Sequence, residues 1–528
     1  MRSTAADRVG ATGPSVPATS DARAGNRFWW LQLLLVSALG PLSVLSGNID
    51  RLTLTGVAQS IGVLAAILFV LRFALGLTLR RPTITDPLLA IATIGLFYDG
   101  IFARLVPFAV WVAIFGVLAL LCCRAAFARR ISAALTVFLA VLVGSIGASL
   151  AQSEVLWDRG AIRAAIDEAM PPLVPAPGLA ASAAQPDIFY IVLDRYARAD
   201  QLQSVYNFDN TPFLDALKAR GFQLSSASFG AYPRTAHSLM STLNLAEVPQ
   251  ATTTPSSDWV PIYERLSAPR LYPLLDALGY EIQTYGSWWE PTRTSPLADR
   301  SDSHYAVPES LRPLVDGSWF TRLLGELGIA ALDPRRRQCA RLADGFADLA
   351  TTPSSTSPIF TFAHFLVPHP PFVVDASGQC MSIDTASRRS RRDNYIGQLQ
   401  FANARLLETV DALLARNPNS VIVLQSDEGP WPERVAGEEV REFGADISNV
   451  AWNDLSPAEL REKMAILNAI RLPAERSEEI AQDFSPVNTF RMILRTQFGL
   501  DLPDLPQNHR VFGSDNDLYS FTDVRDLL

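Results

Sequence analysis

Two apolar runs that each end on an aspartate decide the fold of this chain: Ile188-Phe-Tyr-Ile-Val-Leu-Asp194 and Val421-Ile-Val-Leu-Gln-Ser-Asp427. Each run is apolar on both faces and contains several β-branched residues, which is typical of a fully buried parallel strand. In an open α/β sheet, ligands bind at the carboxyl ends of such strands. Two carboxylates at one edge repel each other unless a cation or a shared proton stabilises them. The runs therefore predict an α/β sheet with a metal site at its edge, and hence an enzyme.

Strands and helices alternate from residue 186 to the C-terminus. Short apolar runs predict strands at Tyr280–Tyr285 and Ile359–Leu366, and apolar residues at helical spacing predict helices at Thr211–Arg220 and Asp393–Arg416. The second helix leads directly into the 421–427 strand. Alternation of this kind predicts a largely parallel sheet that is covered by helices on both faces.

The first third of the chain is strongly apolar. Residues 1–26 are small and polar and contain proline and glycine, which predicts a disordered tail. Apolar stretches follow near 28–47, 55–79, 86–103, 105–123 and 131–152. Because a membrane-spanning helix needs about 20 apolar residues, we predict a membrane domain of about five helices over residues 27–152. A soluble protein with buried helices is the alternative.

The positive charges predict the orientation of these helices, since arginine and lysine favour the cytoplasmic side. Arginine clusters precede the first stretch, follow the second and follow the fourth: Arg2, Arg8, Arg23 and Arg27; Arg80 and Arg81; Arg124, Arg129 and Arg130. With five spans, all three clusters lie on one side. We therefore predict a multi-pass protein of the inner or plasma membrane, with a cytoplasmic tail at 1–26, a linker at 153–185 and an extracytoplasmic catalytic domain at 186–528.

Composition adds two observations. The net charge of −8 gives no support for nucleic-acid binding, and no nucleic-acid partner is expected. Cys339 and Cys380 are the only cysteines of the outer domain. They form either a disulfide in an oxidising compartment or two free, buried thiols, and the sequence leaves both open.

Four motifs follow one another in the outer domain. They are Val192-Leu-Asp194-Arg-Tyr, Tyr232-Pro-Arg-Thr235-Ala-His-Ser-Leu, His364-Phe-Leu-Val-Pro-His369-Pro-Pro-Phe and Gln425-Ser-Asp427-Glu428-Gly-Pro. In this order they resemble the alkaline phosphatase/sulfatase superfamily, and within it the membrane-anchored branch of lipoteichoic acid synthases and phosphoethanolamine transferases. The resemblance covers about 186–528 and implies an alkaline phosphatase/sulfatase-like fold. The five preceding spans match the usual layout of that branch.

The resemblance implies roles for individual residues. Asp194 and Asp427 are metal ligands, Thr235 is the metal-bound nucleophile that forms a phospho-threonine, and His369 lies against the substrate phosphate. Physical chemistry suits these roles, because metal coordination activates a threonine hydroxyl and a helix that starts at Thr235 can receive an anionic phosphoryl group. His364 and Arg234 are further candidates for substrate binding, since a guanidinium can hold a phosphate bidentately.

One position departs from the family pattern. The family usually reads Asp-His-Gly where this chain reads Asp427-Glu428-Gly429. Glutamate can bind a metal, and the ligand set Asp194, Thr235, Asp427 and Glu428 then consists of oxygen atoms alone. Such a set favours Mn²⁺, Mg²⁺ or Ca²⁺ over Zn²⁺. The alternative is that the site has lost catalysis.

The activity implied by the resemblance is transfer of a phospho-substituent through a phospho-threonine at Thr235. The donor is a membrane lipid, and the acceptor is a glycan or lipid of the cell envelope. A phosphodiesterase or phosphatase that uses water as the acceptor is one alternative, and a non-catalytic envelope-binding or scaffold protein is the other. The segment Ala231-Tyr-Pro-Arg-Thr235 lacks the Cys/Ser-x-Pro-x-Arg signature of formylglycine sulfatases, which argues against sulfate-ester hydrolysis by that route.

Overall fold

The computed structural model describes residues 29–79, 82–98, 108–122, 124–173, 185–250, 255–303, 305, 309–316, 318–321, 333–352, 355–436 and 450–528. The tail predicted at 1–26 lies outside these residues. The chain divides into two compact units. The first takes in the chain up to Gly40 together with Ile61–Gly144, and the second takes in Pro41–Ser60 and Ser145–Leu528.

Among the described residues, the N-terminal third holds five apolar helices: α1 (Trp29–Gly47), α2 (Leu54–Leu79), α3 (Pro82–Phe97), α4 (Phe108–Cys122) and α5 (Ala125–Ala151). Three segments within them are long and apolar enough to cross a membrane: Trp29–Gly47, Leu54–Thr78 and Phe127–Ala151. The apolar segments Ile84–Phe97 and Ala113–Cys122 are shorter. The part of the chain that the structure describes therefore contains three candidate spans, and the prediction of five is not confirmed.

Polar groups of the first unit find partners inside that unit. Ser132 Oγ donates a hydrogen bond to Gln32 Oε1 at 2.9 Å, and Tyr98 Oη donates to the carbonyl of Val36 at 2.7 Å. Arg72 and Asp86 form an ion pair at 2.8 Å. Such internal pairing is what helices in a hydrocarbon layer require, because lipid tails offer no hydrogen-bond partners.

The second unit is built on a sheet that has seven strands among the described residues, in the order β2-β7-β6-β1-β5-β3-β4. The strands are β1 (Ile188–Leu193), β2 (Gln223–Leu224), β3 (Glu281–Tyr285), β4 (Arg300–Asp302), β5 (Ile359–Phe365), β6 (Val421–Gln425) and β7 (Asn468–Arg471). The central strand β1 pairs in parallel with β5 and β6, and β7 is antiparallel to both of its neighbours, β6 and β2. A small antiparallel sheet pairs β8 (Arg510–Phe512) with β9 (Phe521–Asp523). The predicted, largely parallel sheet is thus confirmed.

The α-helices described in the second unit follow in chain order. They are α6 (Glu154–Ala169), α7 (Ala199–Ser204), α8 (Thr211–Ala219), α9 (Thr235–Asn244), α10 (Val260–Ser267), α11 (Leu271–Ala277), α12 (Glu290–Arg293), α13 (Arg312–Asp316), α14 (Pro334–Ala350), α15 (Ile383–Ser387), α16 (Arg391–Arg416), α17 (Glu433–Ala436), α18 (Pro457–Met464) and α19 (Thr489–Phe498).

Alternate residues of β1 are buried in two different cores, one on each face of the sheet. Ile188, Tyr190 and Val192 pack in the cluster that contains residues of α9, α10, α11 and α19. Phe189, Ile191 and Leu193 pack in the cluster that contains residues of α14 and α16. The alternation follows from the strand period of two residues. It also explains why β1 is apolar along its whole length.

Two segments that precede the sheet in sequence also belong to the second unit. Helix α6, within the predicted linker, buries Ile162 and Ile166 in the same core as Tyr190. Its Arg159 binds Asp258 through two hydrogen bonds of 2.7 and 2.8 Å and donates a third, at 2.7 Å, to the carbonyl of Ile49. The turn between α1 and α2 is therefore held by the second unit.

The two outer cysteines, whose state the sequence left open, form a disulfide. Cys339 lies on α14, and Cys380 lies in the segment before α15. The Cα atoms are 5.6 Å apart, within the normal range for a disulfide.

Candidate active site

The register of the three central strands brings the predicted site residues to one edge of the sheet. Val192 on β1 lies opposite His364 on β5 and opposite Gln425 on β6. Asp194 and Asp427 each follow two residues later, so the two aspartates lie at the same level. This edge is the carboxyl end of the parallel strands, where α/β sheets bind ligands.

Asp194, His364 and Asp427 form a cluster that can hold a metal ion. Each residue offers one ligand atom, and the three atoms lie within 4.8 Å of one another. All three side chains are buried, and Asp194 Oδ1, His364 Nε2 and Asp427 Oδ2 have no hydrogen-bond partner among the described residues. Buried polar atoms without partners are rare because they are costly. A divalent cation bound between them accounts for all three atoms, so the residues fit a metal.

The electrostatics of the cluster agree with a cation site. Burial, together with the nearby Asp427 carboxylate, raises the pKa of Asp194 well above its ordinary value. Burial and the Glu428 carboxylate raise the pKa of Asp427 to about 7, although a hydrogen bond from Thr235 lowers it in part. Two buried carboxylates that resist ionisation are stabilised when a cation lies between them.

His364 is oriented as metal-binding histidines usually are. Its Nδ1 lies 2.8 Å from Thr292 Oγ1, which lies 3.0 Å from Ser287 Oγ, and the Ser287 hydroxyl accepts the Trp289 N–H at 3.1 Å. Burial lowers the pKa of His364 to about 3, so the imidazole is neutral. When Nδ1 donates into this chain of hydroxyls, the lone pair of Nε2 is available to a metal. The sequence proposed His364 for substrate binding, whereas the structure places it among the metal-ligating groups.

Glu428 differs from the sequence-based prediction. Its Oε1 lies 2.7 Å from Lys463 Nζ and 3.1 Å from Arg195 Nε, and both partners are buried. Burial raises the pKa of Glu428, but Lys463 and Arg195 lower it further, to below its ordinary value. Because two protein cations neutralise this carboxylate, the structure does not group Glu428 with the metal-ligating residues. The candidate ligands that the structure brings together are two carboxylates and an imidazole, whereas the sequence predicted an all-oxygen set that includes Glu428.

Lys463 is the functional residue that sequence reasoning missed. It lies on α18, its side chain is fully buried, and its ammonium lies 5.4 Å from the ring centres of both Trp431 and Trp452. Burial lowers the pKa of Lys463 to about 8. The available signal was rarity, because the sequence contains only one other lysine, Lys218.

Gly429 completes the turn that carries Asp427 and Glu428. Its N–H donates to the carbonyl of Lys463 at 2.6 Å. A Cβ atom at this position would lie 2.3 Å from the carbonyl oxygen of Glu462 and 2.8 Å from that of Lys463. The turn therefore requires glycine, because only glycine lets the two backbones approach so closely.

Thr235 is the first residue of helix α9, and Arg234 is the N-cap residue. The first N–H groups of a helix have no partner within the helix, and together with the helix dipole they favour an anion. Thr235 also lies within hydrogen-bonding reach of the Asp427 carboxylate. The predicted nucleophile, the metal-ligating cluster and the positive end of a helix are thus adjacent.

A cavity of about 210 Å³ opens over Thr235. Five of the predicted site residues line it: Asp194, Arg234, Thr235, His369 and Glu428. Four aromatic residues form further walls, namely Trp259, Tyr263, Trp288 and Trp289. The cavity therefore combines a polar floor with apolar walls, as enzyme pockets generally do.

Three basic side chains on the cavity wall are fixed by their neighbours. Arg234 is paired with Asp515 and lies between 5.3 and 5.6 Å from the ring centres of three tryptophans, Trp259, Trp431 and Trp452. Arg195 has a φ of 64°, in the left-handed region, and non-glycine residues in that region cluster at functional sites. His369 contacts the carbonyl of Pro370, and burial lowers its pKa well below the ordinary value, so the ring is neutral.

Two of the remaining histidines have structural surroundings away from this cavity. His237 is buried among aromatic rings, and its Nε2 lies 3.0 Å from the carbonyl oxygen of Leu518. His509 Nδ1 lies 3.1 Å from the carbonyl oxygen of Gly230. His304 lies outside the described residues.

Comparison with known proteins agrees with the geometry. The sulfatase family model matches residues 186–462, more than half of the chain. Similar solved structures include the C-terminal periplasmic domain of EptC from Escherichia coli in complex with Zn, with 12% identity over 67% of this chain and 96% of that chain and a TM-score of 0.42. No curated protein matches the chain.

Two further similar solved structures are a transferase and a synthase by name. The integral membrane lipooligosaccharide phosphoethanolamine transferase A from Neisseria meningitidis has 12% identity over 90% of this chain and 96% of that chain, with a TM-score of 0.37. The lipoteichoic acid synthase LtaP from Listeria monocytogenes has 15% identity over 66% of this chain and 80% of that chain, also with a TM-score of 0.37. The family-model match confirms the resemblance carried by the four motifs: this chain belongs to the sulfatase family, within the alkaline phosphatase/sulfatase superfamily.

Proposed function

We propose that this protein is a membrane-anchored, metal-dependent enzyme that transfers a phospho-substituent from a lipid donor to a glycan or lipid of the cell envelope. The observation that supports the proposal most directly is the convergence of Asp194, His364 and Asp427 beside Thr235. Membership of the sulfatase family supports chemistry on anionic esters. The three apolar helices support the membrane location. The Cys339–Cys380 disulfide supports an oxidising, extracytoplasmic compartment for the outer domain.

Asp194, Asp427 and His364 would hold one divalent cation, with Thr235 Oγ as a further ligand. A cation there lowers the pKa of a bound hydroxyl and neutralises charge on a phosphoryl group. Because the set includes an imidazole, Zn²⁺ and Mn²⁺ suit it better than Mg²⁺ or Ca²⁺. This preference replaces the one deduced from an all-oxygen set with Glu428.

Transfer proceeds in two half-reactions at Thr235. First, Thr235 Oγ, having lost its proton to solvent, forms a bond to phosphorus, while the bond from phosphorus to the lipid alcohol breaks and the alcohol takes up a proton. Then a deprotonated acceptor hydroxyl bonds to the phosphorus, the bond from phosphorus to Thr235 Oγ breaks, and Thr235 regains its proton. The protein contributes mainly positioning and charge neutralisation, which is what phosphoryl transfer needs.

Residues around Thr235 position the phosphoryl group. The N–H groups at the start of α9 and the guanidinium of Arg234 supply donors on one side of the cavity. The neutral imidazole of His369 can share a hydrogen bond with a phosphoryl oxygen or with the departing alcohol. The aromatic walls offer apolar surface beside Thr235, which suits a carbohydrate or lipid acceptor.

Turnover by the full-length protein, reconstituted in vesicles that contain a labelled phospholipid donor, tests this function. We expect Thr235→Ala to lower turnover by at least about 1,000-fold, because the nucleophile is lost. Thr235→Ser, which keeps a hydroxyl, is the matched control and should retain measurable turnover. Acid quenching followed by mass spectrometry should detect a phosphorylated Thr235 in the wild-type protein.

The outcomes separate the candidate functions. A modified acceptor supports transfer, whereas release of the free head group alone would identify a phosphodiesterase. Full turnover by Thr235→Ala would overturn the proposed nucleophile. Absence of turnover and of phospho-Thr235 with Zn²⁺, Mn²⁺, Mg²⁺ and Ca²⁺ would favour the scaffold alternative.

A further inference from the structure

A residue from outside the family-matched region lies in the wall of the active-site cavity. Arg51 belongs to the turn between α1 and α2, more than 130 residues before the sulfatase match begins at residue 186. Its side chain lines the cavity that also contains Thr235, Arg234 and His369. The cavity is therefore not built from the matched segment alone.

The turn that carries Arg51 is fixed to the second unit at several points. The carbonyl of Asp50 accepts the N–H of Trp259 at 2.7 Å, and the carbonyl of Ile49 accepts a hydrogen bond from Arg159 at 2.7 Å. On the C-terminal side of the turn, Ser60 and Ser310 are joined through their hydroxyls at 2.6 Å. Because its backbone is held on both sides, Arg51 reaches the cavity from a defined position.

Asp515 connects Arg51 with Arg234. Its Oδ2 lies 3.5 Å from Arg51 Nη2 and also accepts a hydrogen bond from Arg234 Nη2. The Asp515 side chain is 2% exposed, whereas that of Arg51 is 31% exposed. Arg51 Nε also lies 3.6 Å from the Asp50 carboxylate. The carboxylates of Asp50 and Asp515 thus orient two guanidiniums toward one cavity. One of the two belongs to Arg234, the residue next to Thr235.

A second cavity continues from Arg51 toward the apolar helix α2. Its volume is about 250 Å³, and it shares Arg51 and Tyr263 with the catalytic cavity. Its other walls include Gly56 and Val57, from the first turn of α2, and Pro291. Arg51 therefore lines both the catalytic cavity and a cavity next to the first turn of α2, a helix that is long and apolar enough to cross a membrane.

We propose that Arg51 and Arg234 form an anion subsite for the phosphate of a phospholipid donor, with the lipid's glycerol portion in the second cavity. This assignment rests on the proposed function. Guanidinium groups suit a phosphate because their fork of donors matches its oxygens bidentately. The attraction is stronger at Arg234, whose side chain is 12% exposed, than at the more exposed Arg51, because charges interact more strongly where less water surrounds them. Arg51 thereby binds substrate, whereas Asp515 positions the two arginines.

Steady-state kinetics of the full-length protein in vesicles test the subsite. We expect Arg51→Gln to raise KM for the phospholipid donor about ten-fold, with kcat changed less than about three-fold, because a charge-assisted hydrogen bond is lost. Arg51→Lys should restore part of the affinity, because lysine keeps the charge without the fork. Arg220→Gln, which breaks the exposed Arg220–Asp411 pair, is the matched control and should leave KM unchanged.

Binding of inorganic phosphate supplies a readout that does not depend on turnover. In a Thr235→Ala background, adding Arg51→Gln should raise the phosphate concentration needed for half-maximal thermal stabilisation about ten-fold. The melting temperature without phosphate should stay close to that of Thr235→Ala. An unchanged donor KM in Arg51→Gln would overturn the subsite, even if phosphate binding alone were weakened. A fall in the melting temperature without phosphate, with no change in KM or phosphate binding, would assign Arg51 a purely structural role and overturn the subsite as well.

The two proposals fail in different ways. If Thr235→Ala retains full turnover, the proposed nucleophile is wrong, whereas the donor KM of Arg51→Gln, together with the phosphate-binding comparison, still decides the subsite. If Thr235→Ala is inactive and Arg51→Gln behaves as wild type in both assays, the catalytic proposal stands and only the subsite is wrong.

Discussion

Asp427 and Glu428 are adjacent in the chain and equally buried, yet their surroundings act on them in opposite directions. Burial and the neighbouring Glu428 carboxylate raise the pKa of Asp427 to about 7, and they outweigh the opposite effects of Lys463 and of the Thr235 hydrogen bond. Glu428 contacts Lys463 and Arg195, and its pKa is lowered. Burial alone therefore does not make a carboxylate a metal ligand. What decides is whether the protein already supplies a cation to neutralise it.

The same difference separates two regions of the site. Asp194, His364 and Asp427 carry ligand atoms that have no hydrogen-bond partner among the described residues. Arg195 and Lys463 lower the pKa of Asp194, yet burial and the neighbouring carboxylates outweigh them, and the pKa stays raised. Glu428, by contrast, contacts Lys463 and Arg195 directly. A bound cation would complete the first region, whereas the second contains its own counter-charges.

The largest effect on stability is expected when the buried ion pair between Glu428 and Lys463 is broken. Lys463→Met leaves Glu428 with Arg195 as its remaining cation, and we expect a loss of about 3 kcal/mol in the free energy of unfolding, because a buried ion pair is left half-matched. Unfolding of the full-length protein in detergent by heat or denaturant would measure this loss.

The other lysine of the chain gives a matched control for Lys463→Met. Lys218 forms an exposed pair with Asp215, so Lys218→Met should change stability by less than about 0.5 kcal/mol. The double variant Lys463→Met/Glu428→Gln should recover much of the loss. If the double variant is no more stable than Lys463→Met, the pair does not carry the effect and the comparison fails at this point.

Metal affinity sharpens the comparison between the two neighbouring carboxylates. Asp427→Asn should weaken metal binding by at least about 100-fold, because loss of a ligand costs at least as much as loss of a residue that only supports a ligand. Glu428→Gln should weaken metal binding by less than about ten-fold. Equilibrium dialysis of the full-length protein, with metal analysis for Zn²⁺ and Mn²⁺, would measure both. Equal losses in the two variants would make Glu428 a ligand, as the sequence first predicted.

The smallest expected effect concerns the support of His364. Thr292→Val removes the hydroxyl that lies 2.8 Å from Nδ1, and we expect about ten-fold weaker metal binding, because the imidazole loses its orienting partner. Thr292→Ser keeps a hydroxyl and serves as the control. Wild-type affinity in Thr292→Val would show that packing alone orients the ring.

Local pattern sufficed to predict the strands and the two aspartates of the site. Each apolar run that ends on Asp194 or Asp427 predicts, within a few residues, a strand, the burial of that strand and the polar residue at its end. The metal-ligating position of His364 was not predictable in this way, because it depends on β1 and β5 being neighbours in a particular register. The three candidate spans in the described chain also follow from local length and hydropathy.

Contacts between distant segments explain what the sequence did not reveal. The family pattern made Glu428 look like a ligand, but its partner Lys463 lies 35 residues later on α18, and nothing in the local sequence links the two. Arg51 lies in a turn between two apolar helices, and its contact with Asp515 is not predictable from local pattern because 464 positions separate the two residues. Charge pairing across such separations is a property of the tertiary fold.

The close approach at Gly429 bears on how such a site can change over evolutionary time. The backbone contact between Gly429 and Lys463 does not involve the side chain at 428, so the turn keeps its shape when that residue is exchanged. The charge at 428 and its counter-charge at 463 can then be exchanged as a pair on one backbone. The electrostatics beside the candidate metal cluster can in this way change without rebuilding the sheet edge that carries Asp194 and Asp427.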